Sequence, residues 1–217
     1  VIRVVDDIRK TRAEHPNLVL TIGSFDGVHR GHRAILDAVV RRARAIDGAA
    51  AVLTLRPHPR EFFSPEHAPS LLTHGAKKLE LFEEAGISAM FVLCFNAEVA
   101  ALEPEEFVSE IIVDRCHAKA VVAGHDFRFG RNARGNFDVL SALAPKHGFA
   151  VEQVPPLLMD GERVSSTLIR ERLLLGDLVK AEAFLGRPYS LVGKVVPGRH
   201  IGSTIGYPTA NIQPHHS

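Results

Sequence analysis

Five near-continuous apolar runs divide the chain, at 18–22, 50–55, 89–95, 118–123 and 149–154. Runs without polar alternation read as strands of a parallel sheet covered on both faces. Between them the apolar residues take helical spacing. Ile35, Leu36, Val39, Val40 and Ala43 share one face of a helix at 30–46, which Asp47-Gly48 stops. A helix at 75–85 presents Leu79 and Phe82 and ends at Gly86. A third, Pro104 to Asp114, turns Phe107 and Ile111 inward. A fourth, near 136–144, carries Val139, Leu140 and Leu143 and is limited by Pro145. Residues 1–17 read as a short edge strand or irregular lead-in, and 61–74 as a loop.

Pro155-Pro156 and Asp160-Gly161 then mark a loop or hairpin. Ser165-Ser166-Thr167 precedes an apolar-periodic run, which is helix-start chemistry. A second short helix follows Gly176-Asp177 and ends near Gly186. The alternation predicts an α/β domain with a parallel sheet over 1–186. After Arg187-Pro188 the character changes. Tyr189 to Val196 alternates as a strand, and Pro197, Gly198, Gly202 and Gly206 then break the pattern. Residues 187–217 read as the start of a β-rich domain too short to bury a core of its own, so either the segment packs on the first domain or the rest of a second domain is missing.

Charge adds little, since 26 basic and 25 acidic residues give a net charge of +1. That balance offers no basic surface for nucleic acid or membrane. Arg41, Arg42 and Arg44 read as a solvated helix face, whereas Arg128, Arg131 and Arg134 lie in a glycine-bearing loop. No run is long enough to span a membrane and no signal sequence opens the chain, so the cytoplasm is the expected location. Cys94 and Cys116, without a CxxC, read as free thiols. The twelve histidines lack metal-ligand spacing, and no structural metal is expected.

Four loops carry the candidate chemistry. Gly23-Ser24-Phe25-Asp26-Gly27-Val28-His29-Arg30-Gly31-His32 links the first apolar run to the first helix. Glycines admit close backbone approach, and a helix start favours an anion. Two imidazoles three residues apart share one side of the helix entrance. The turn alone fits a phosphate cradle and a plain strand-to-helix turn with two solvent histidines equally well. The other loops are Arg56-Pro57-His58-Pro59-Arg60, Gly124 to Arg134, and Ser165 to Arg170. No Walker A, GxGxxG, GxSxG or HExxH pattern is present. Four such loops past strand ends suit a nucleotide and a second phosphate-bearing ligand.

GSFDGVHRGH resembles the first signature of the HxGH nucleotidyltransferase superfamily, with His29-Arg30-Gly31-His32 as the motif. TLRPHPREFF, GHDFRFGRNARGN, VSSTLIRERLLLGDLVKAEAFLGRPY and GYPTANI follow in order and spacing. Together they resemble the bacterial FAD synthetases, the bifunctional riboflavin kinase/FMN adenylyltransferases. The resemblance implies a Rossmann-like nucleotidyltransferase domain at 1–186 and the truncated start of a β-barrel riboflavin kinase domain at 187–217. It also implies transfer of AMP from MgATP to FMN, giving FAD and pyrophosphate. His29, His32 and Arg170 would be catalytic. ATP would lie against Gly23, Ser24, Phe25, Asp26, His29, Gly31 and His32, with Ser165, Ser166, Thr167 and Arg170 on its phosphates. Asp26 would be either a ligand or a loop brace. Pro57, His58 and Pro59, with Asp126, Phe127 and Arg128, would form the flavin side. Phe127 or Phe129 would stack on the isoalloxazine or pack as core.

Thr209 and Asn211 match the magnesium–ATP residues of the kinase module, whose site would be incomplete here. The stretch Arg199 to Gly206 departs from the kinase pattern, and the expectation is that this chain does not phosphorylate riboflavin. The competing readings are another HxGH nucleotidyltransferase acting on a phosphorylated small molecule, and a non-catalytic flavin- or nucleotide-binding module.

Overall fold

All five apolar runs form strands of one sheet. The computed structural model describes residues 1–10, 15–198, 204, 206–207 and 209–214. The strands are β1 (Arg3–Val5), β2 (Leu18–Ile22), β3 (Ala49–Arg56), β4 (Ala89–Cys94), β5 (Ala118–Gly124) and β6 (Ala150–Val154). Their order is β1-β4-β3-β2-β5-β6, and every neighbouring pair is parallel. Every residue of β2 is buried, as its apolar run requires. The chain winds from β2 through β3 to β4, then returns to β5 and β6 on the other side. The order therefore reverses between β2 and β5, where open α/β sheets bind ligands at strand carboxyl ends.

Helices cover both faces. α1 (Arg30–Ala45) and α3 (Gly75–Glu84) bury Leu36, Val39, Leu81 and Phe82 against one face. The other face packs α4 (Ala97–Ala101), α5 (Pro104–Phe107) and α6 (Phe137–His147) around Val99, Phe107, Ile112 and Leu140. α7 (Ser166–Leu174) and α8 (Leu178–Leu185) follow the short hairpin β7 (Leu158–Met159) and β8 (Glu162–Arg163). They enclose a separate small core of Leu72, Val164, Ile169, Phe184 and Leu185. β9 (Gly193–Val196) and β10 (Asn211–Pro214) form an antiparallel hairpin beyond it.

Several boundaries differ from expectation. The expected loop 61–74 begins in helix α2 (Pro59–Phe63), followed by a 3-10 turn at Pro65–His67. His58 caps α2 through its side chain, Glu61 reaches back to the His58 amide, and Pro59 takes the first turn. Short α4 was not expected; Asn96 starts it by accepting from the Val99 amide. The helix from Pro104 continues as a π-helical stretch, Val108–Arg115. α6 runs past Pro145 to His147, because the exposed proline lies in the last turns, where water can serve the carbonyl it leaves unbonded. The strand expected from Tyr189 is confined to Gly193–Val196. Most of the kinase-like loop, 199–203, lies outside the described residues, as do residues 205 and 208 of the stretch that continues it. Both cysteines are free, and burial pushes the Cys116 thiol up to about 12.

The α1–β3 turn depends on a close approach. A Cβ on Gly48 would lie 1.8 Å from the Asn17 carbonyl oxygen, which accepts from the Ala49 amide. Gly48→Ala should therefore lose about 1–3 kcal/mol of stability in urea unfolding, the range of an overpacked site.

Candidate active site

The β2–α1 turn is a strained segment held from outside. Phe25, Gly27 and Val28 have φ of 48°, 87° and 39°. Positive φ is unfavourable for a β-branched residue such as Val28, so other contacts must fix it. Each carbonyl from Ser24 to Val28 has a donor. Lys78 Nζ of α3 reaches Ser24 at 2.9 Å, and the Val28 amide reaches Phe25 at 3.2 Å. Ser166 Oγ of α7 donates to Asp26 at 2.8 Å, and Arg187 donates to Gly27 and Val28. The amides of Ser24, Phe25, Asp26 and Gly27 find no acceptor among the described residues. Unpaired amides leading into a helix start suit an anion.

His29 is buried and caps α1. Its Nδ1 accepts from the His32 amide at 3.2 Å, which leaves the proton of the neutral ring on Nε2. Burial lowers its pKa from 6.5 to about 4; Asp126 opposes the shift, and Arg187 and Arg163 add to it. The His32 ring stacks on it, with centroids 3.6 Å apart and planes 15° apart. Burial, and then His29 and Lys78, hold His32 well below the usual histidine range. Its Nδ1 is buried without a partner among the described residues. The pair is thus two neutral rings packed face to face, capable of donating hydrogen bonds while carrying no charge.

Asp26 is a brace. Its buried carboxylate accepts from the Leu72 amide at 3.0 Å, the Thr73 amide at 3.1 Å and Arg170 of α7. Arg170 also donates through Nε to the Ser70 carbonyl, so Nη1 is its one nitrogen without a partner among the described residues. Ser165 caps α7 by accepting from the Leu168 amide at 3.2 Å. Arg170 and the start of α7, the residues expected on the phosphates, therefore sit with Asp26 on one bonded frame.

A cleft of about 1040 Å³ opens over this frame at the sheet's switch point. It is lined by Gly23 to Asp26, His29, Gly31 and His32, and by Ser165 to Thr167 with Arg170. Across it stand His58, Pro59, Asp126, Phe127 and Arg128. Pro57 does not line the cleft; it precedes the wall, following a cis bond to Arg56. Burial lowers the His58 pKa, and Arg60 adds to the shift. Phe127 and Phe129 stack at 5.2 Å, but Phe129 is core and Phe127 alone reaches the cleft. Asp126 lies 3.6 Å from Arg163, whose Nη1 meets His125 at 2.9 Å. Thr209 precedes β10 and Asn211 opens it; both are exposed and line no part of the cleft.

Some contributors escaped the sequence reading. Leu72 and Thr73 act through backbone amides, which no residue type announces. Lys78, Arg163 and Arg187 are single cations on other elements, and the segment 187–192, read as a domain boundary, lines the cleft.

A doubly wound parallel sheet with an amide-rich turn and paired histidines at its switch point belongs to the Rossmann-like nucleotide-binding class. The FAD synthetase family matches residues 11–168 and the riboflavin kinase family residues 185–217. The chain belongs to the FAD synthetase family. It is 39% identical over 97% of its length to a bifunctional riboflavin kinase/FMN adenylyltransferase of Pseudomonas fluorescens, covering 68% of that protein. It is 37% identical over 93% of its length to the protein of the same description from Escherichia coli K12, covering 64% of it. The chain thus spans about two thirds of the length of these relatives. A solved structure titled as a macrolide-efflux protein from Streptococcus pneumoniae superposes with a TM-score of 0.88 at 28% identity, covering 99% of this chain and 70% of that one.

The buried histidines make stability depend on pH. The folded-state pKa of His29 lies below its ordinary 6.5, so between about 4 and 6.5 the unfolded chain binds more protons. Stability is complete above that window and lost as pH falls through it. Lowering the pH from 7 to 5 should cost about 2 kcal/mol through His29 in urea unfolding. His29→Asn, which can still cap α1, should flatten that slope.

Proposed function

We propose that the chain is an FMN adenylyltransferase, converting FMN and MgATP to FAD and pyrophosphate. The observation that carries this reading is the stacked neutral pair His29–His32 beside unpaired turn amides, on a frame whose family is FAD synthetase. An oxygen of the FMN phosphate attacks the α-phosphorus of ATP, a new P–O bond forms, and the bond to the β-phosphate oxygen breaks. The electron pair leaves on pyrophosphate. No protein nucleophile is needed, so catalysis is positioning and charge stabilisation.

His29 donates from Nε2–H to the phosphates, and His32 holds the neighbouring position. Arg170 offers Nη1, and the start of α7 at Ser165, Ser166 and Thr167 faces the β- and γ-phosphates. Because Asp26 is already bonded by Arg170 and the two amides, its charge is compensated where the anion binds. The flavin lies along His58, Pro59, Phe127 and Arg128, with Phe127 as the exposed ring. Magnesium enters as part of the MgATP substrate; among the described residues no group of three or more His, Cys, Asp and Glu side chains could hold it. The activity is assigned to residues 1–186 together with the strap 187–192. Thr209 and Asn211 stay candidates for magnesium–ATP binding in a riboflavin kinase module, and no step is routed through them. Riboflavin kinase activity is not assigned, since the riboflavin kinase family matches only residues 185–217, whose described strands are the two of the β9–β10 hairpin. No helix among the described residues is long and apolar enough to cross a membrane.

Incubation with MgATP and FMN, followed by chromatography of the flavins, should show FAD; binding of both without turnover would point to a non-catalytic module. His29→Asn should lower kcat by about a hundredfold or more, as loss of one charge-stabilising donor does. Excess EDTA should abolish turnover.

A further inference from the structure

We propose that Arg187 is a positioning residue for the nucleotide site: its guanidinium fixes the strained Gly27–Val28 step and thereby the place of His29. The inference rests on the adenylyltransferase reading and adds to it a residue from outside the region matched by the FAD synthetase family. Gly27 and Val28 both have positive φ and immediately precede His29. Their carbonyls point to one side and accept from the same guanidinium, at 2.6 Å from Nη2 and 3.2 Å from Nη1. A third contact, 3.5 Å to the Leu185 carbonyl, ties the group to the end of α8. Gly186, with φ of 78°, ends α8 and turns the chain so that Arg187 faces back toward the turn.

Among the described residues no carboxylate lies within ion-pair distance of Arg187. Its donors are therefore committed to backbone carbonyls. A planar fork spans two adjacent carbonyls at once, which a lysine ammonium on a flexible stem does less well. Lys78 and Ser166 hold the Ser24 and Asp26 carbonyls. Arg187 is the member of this clamp that bears on the residues next to His29. It also lies at the start of the stretch matched by the riboflavin kinase family, so the position of that stretch is felt at the adenylyltransferase turn.

The groups facing His29 are the stacked His32 ring, Asp126, Arg163 and Arg187. Removing Arg187 takes away one of two cations that keep the imidazole neutral. The acid limb of kcat/KM should then move to higher pH; because burial also keeps His29 neutral, Arg187→Lys, which retains the charge, separates loss of the cation from loosening of the turn.

The test compares the wild-type chain with Arg187→Gln and Arg187→Lys. MgATP affinity is measured by calorimetry without FMN, and kcat and KM against pH by FAD formation. Arg187→Gln should bind MgATP about tenfold more weakly, as loss of a charged hydrogen-bond donor does, and shift the acid limb upward. Arg187→Lys should fall between the two. An Arg187→Gln protein with unchanged MgATP affinity and acid limb overturns the proposal. If that variant does not fold, Arg187→Lys decides, and wild-type affinity in it refutes the two-carbonyl clamp. Wild-type chain that binds MgATP without forming FAD overturns the functional reading instead, while the affinity comparison still decides the role of Arg187.

Discussion

The buried carboxylate of Asp26 is the constraint on which the site depends. It joins the β2–α1 turn to the amides of Leu72 and Thr73 and to Arg170 of α7. These belong to three stretches distant in sequence, and no sheet ladder connects them. A buried carboxylate left unpaired is costly, so the three partners are required and not optional. Once they are in place, the loop before α3 and the start of α7 are fixed relative to the paired histidines. The bond from Ser166 to the Asp26 carbonyl closes the same triangle through the backbone.

The turn then faces two ways. Its carbonyls are occupied by Lys78, Ser166 and Arg187 from outside, and the amides of Ser24 to Gly27 find no acceptor among the described residues. Negative ends are thereby neutralised on the protein side, and positive ends are left for a ligand. The histidines complete this without adding charge. Burial keeps His29 and His32 neutral, so the rings can donate hydrogen bonds without adding positive charge to the cleft. A protonated pair stacked at 3.6 Å would repel itself, which is a second reason for the rings to remain neutral.

The centre of the sheet was legible because β2 to β5 are near-continuous apolar runs with most residues buried, and β2 is the clearest case. The loops of the site were legible because strand carboxyl ends are where an α/β sheet gathers ligand groups, and each loop carried histidine, arginine or hydroxyl residues there. What stayed hidden acts through the backbone or at long range. The choice left open for Asp26, ligand or brace, turns on amides at Leu72 and Thr73 that any sequence would supply. The π-helical stretch Val108–Arg115 keeps an ordinary helical spacing at Phe107 and Ile111, so its extra width leaves no mark in the pattern. Helix α2 hid in a stretch read as loop, since a histidine cap is not the usual start signal.

The physical edge of the unit does not coincide with the change in composition at Arg187. α7 and α8 rest on their own small core of Leu72, Val164, Ile169, Phe184 and Leu185. Leu72 is the residue whose amide binds Asp26, so this core and the nucleotide turn share a member. The chain leaving α8 passes directly over that junction, and residues 187–192 line the cleft before the β9–β10 hairpin begins. A cut placed where the sequence changes character would thus remove a wall of the site along with the hairpin. The cleft is therefore walled by the sheet, the α7–α8 pair and the strap together, and the stretch matched by the riboflavin kinase family begins within that wall.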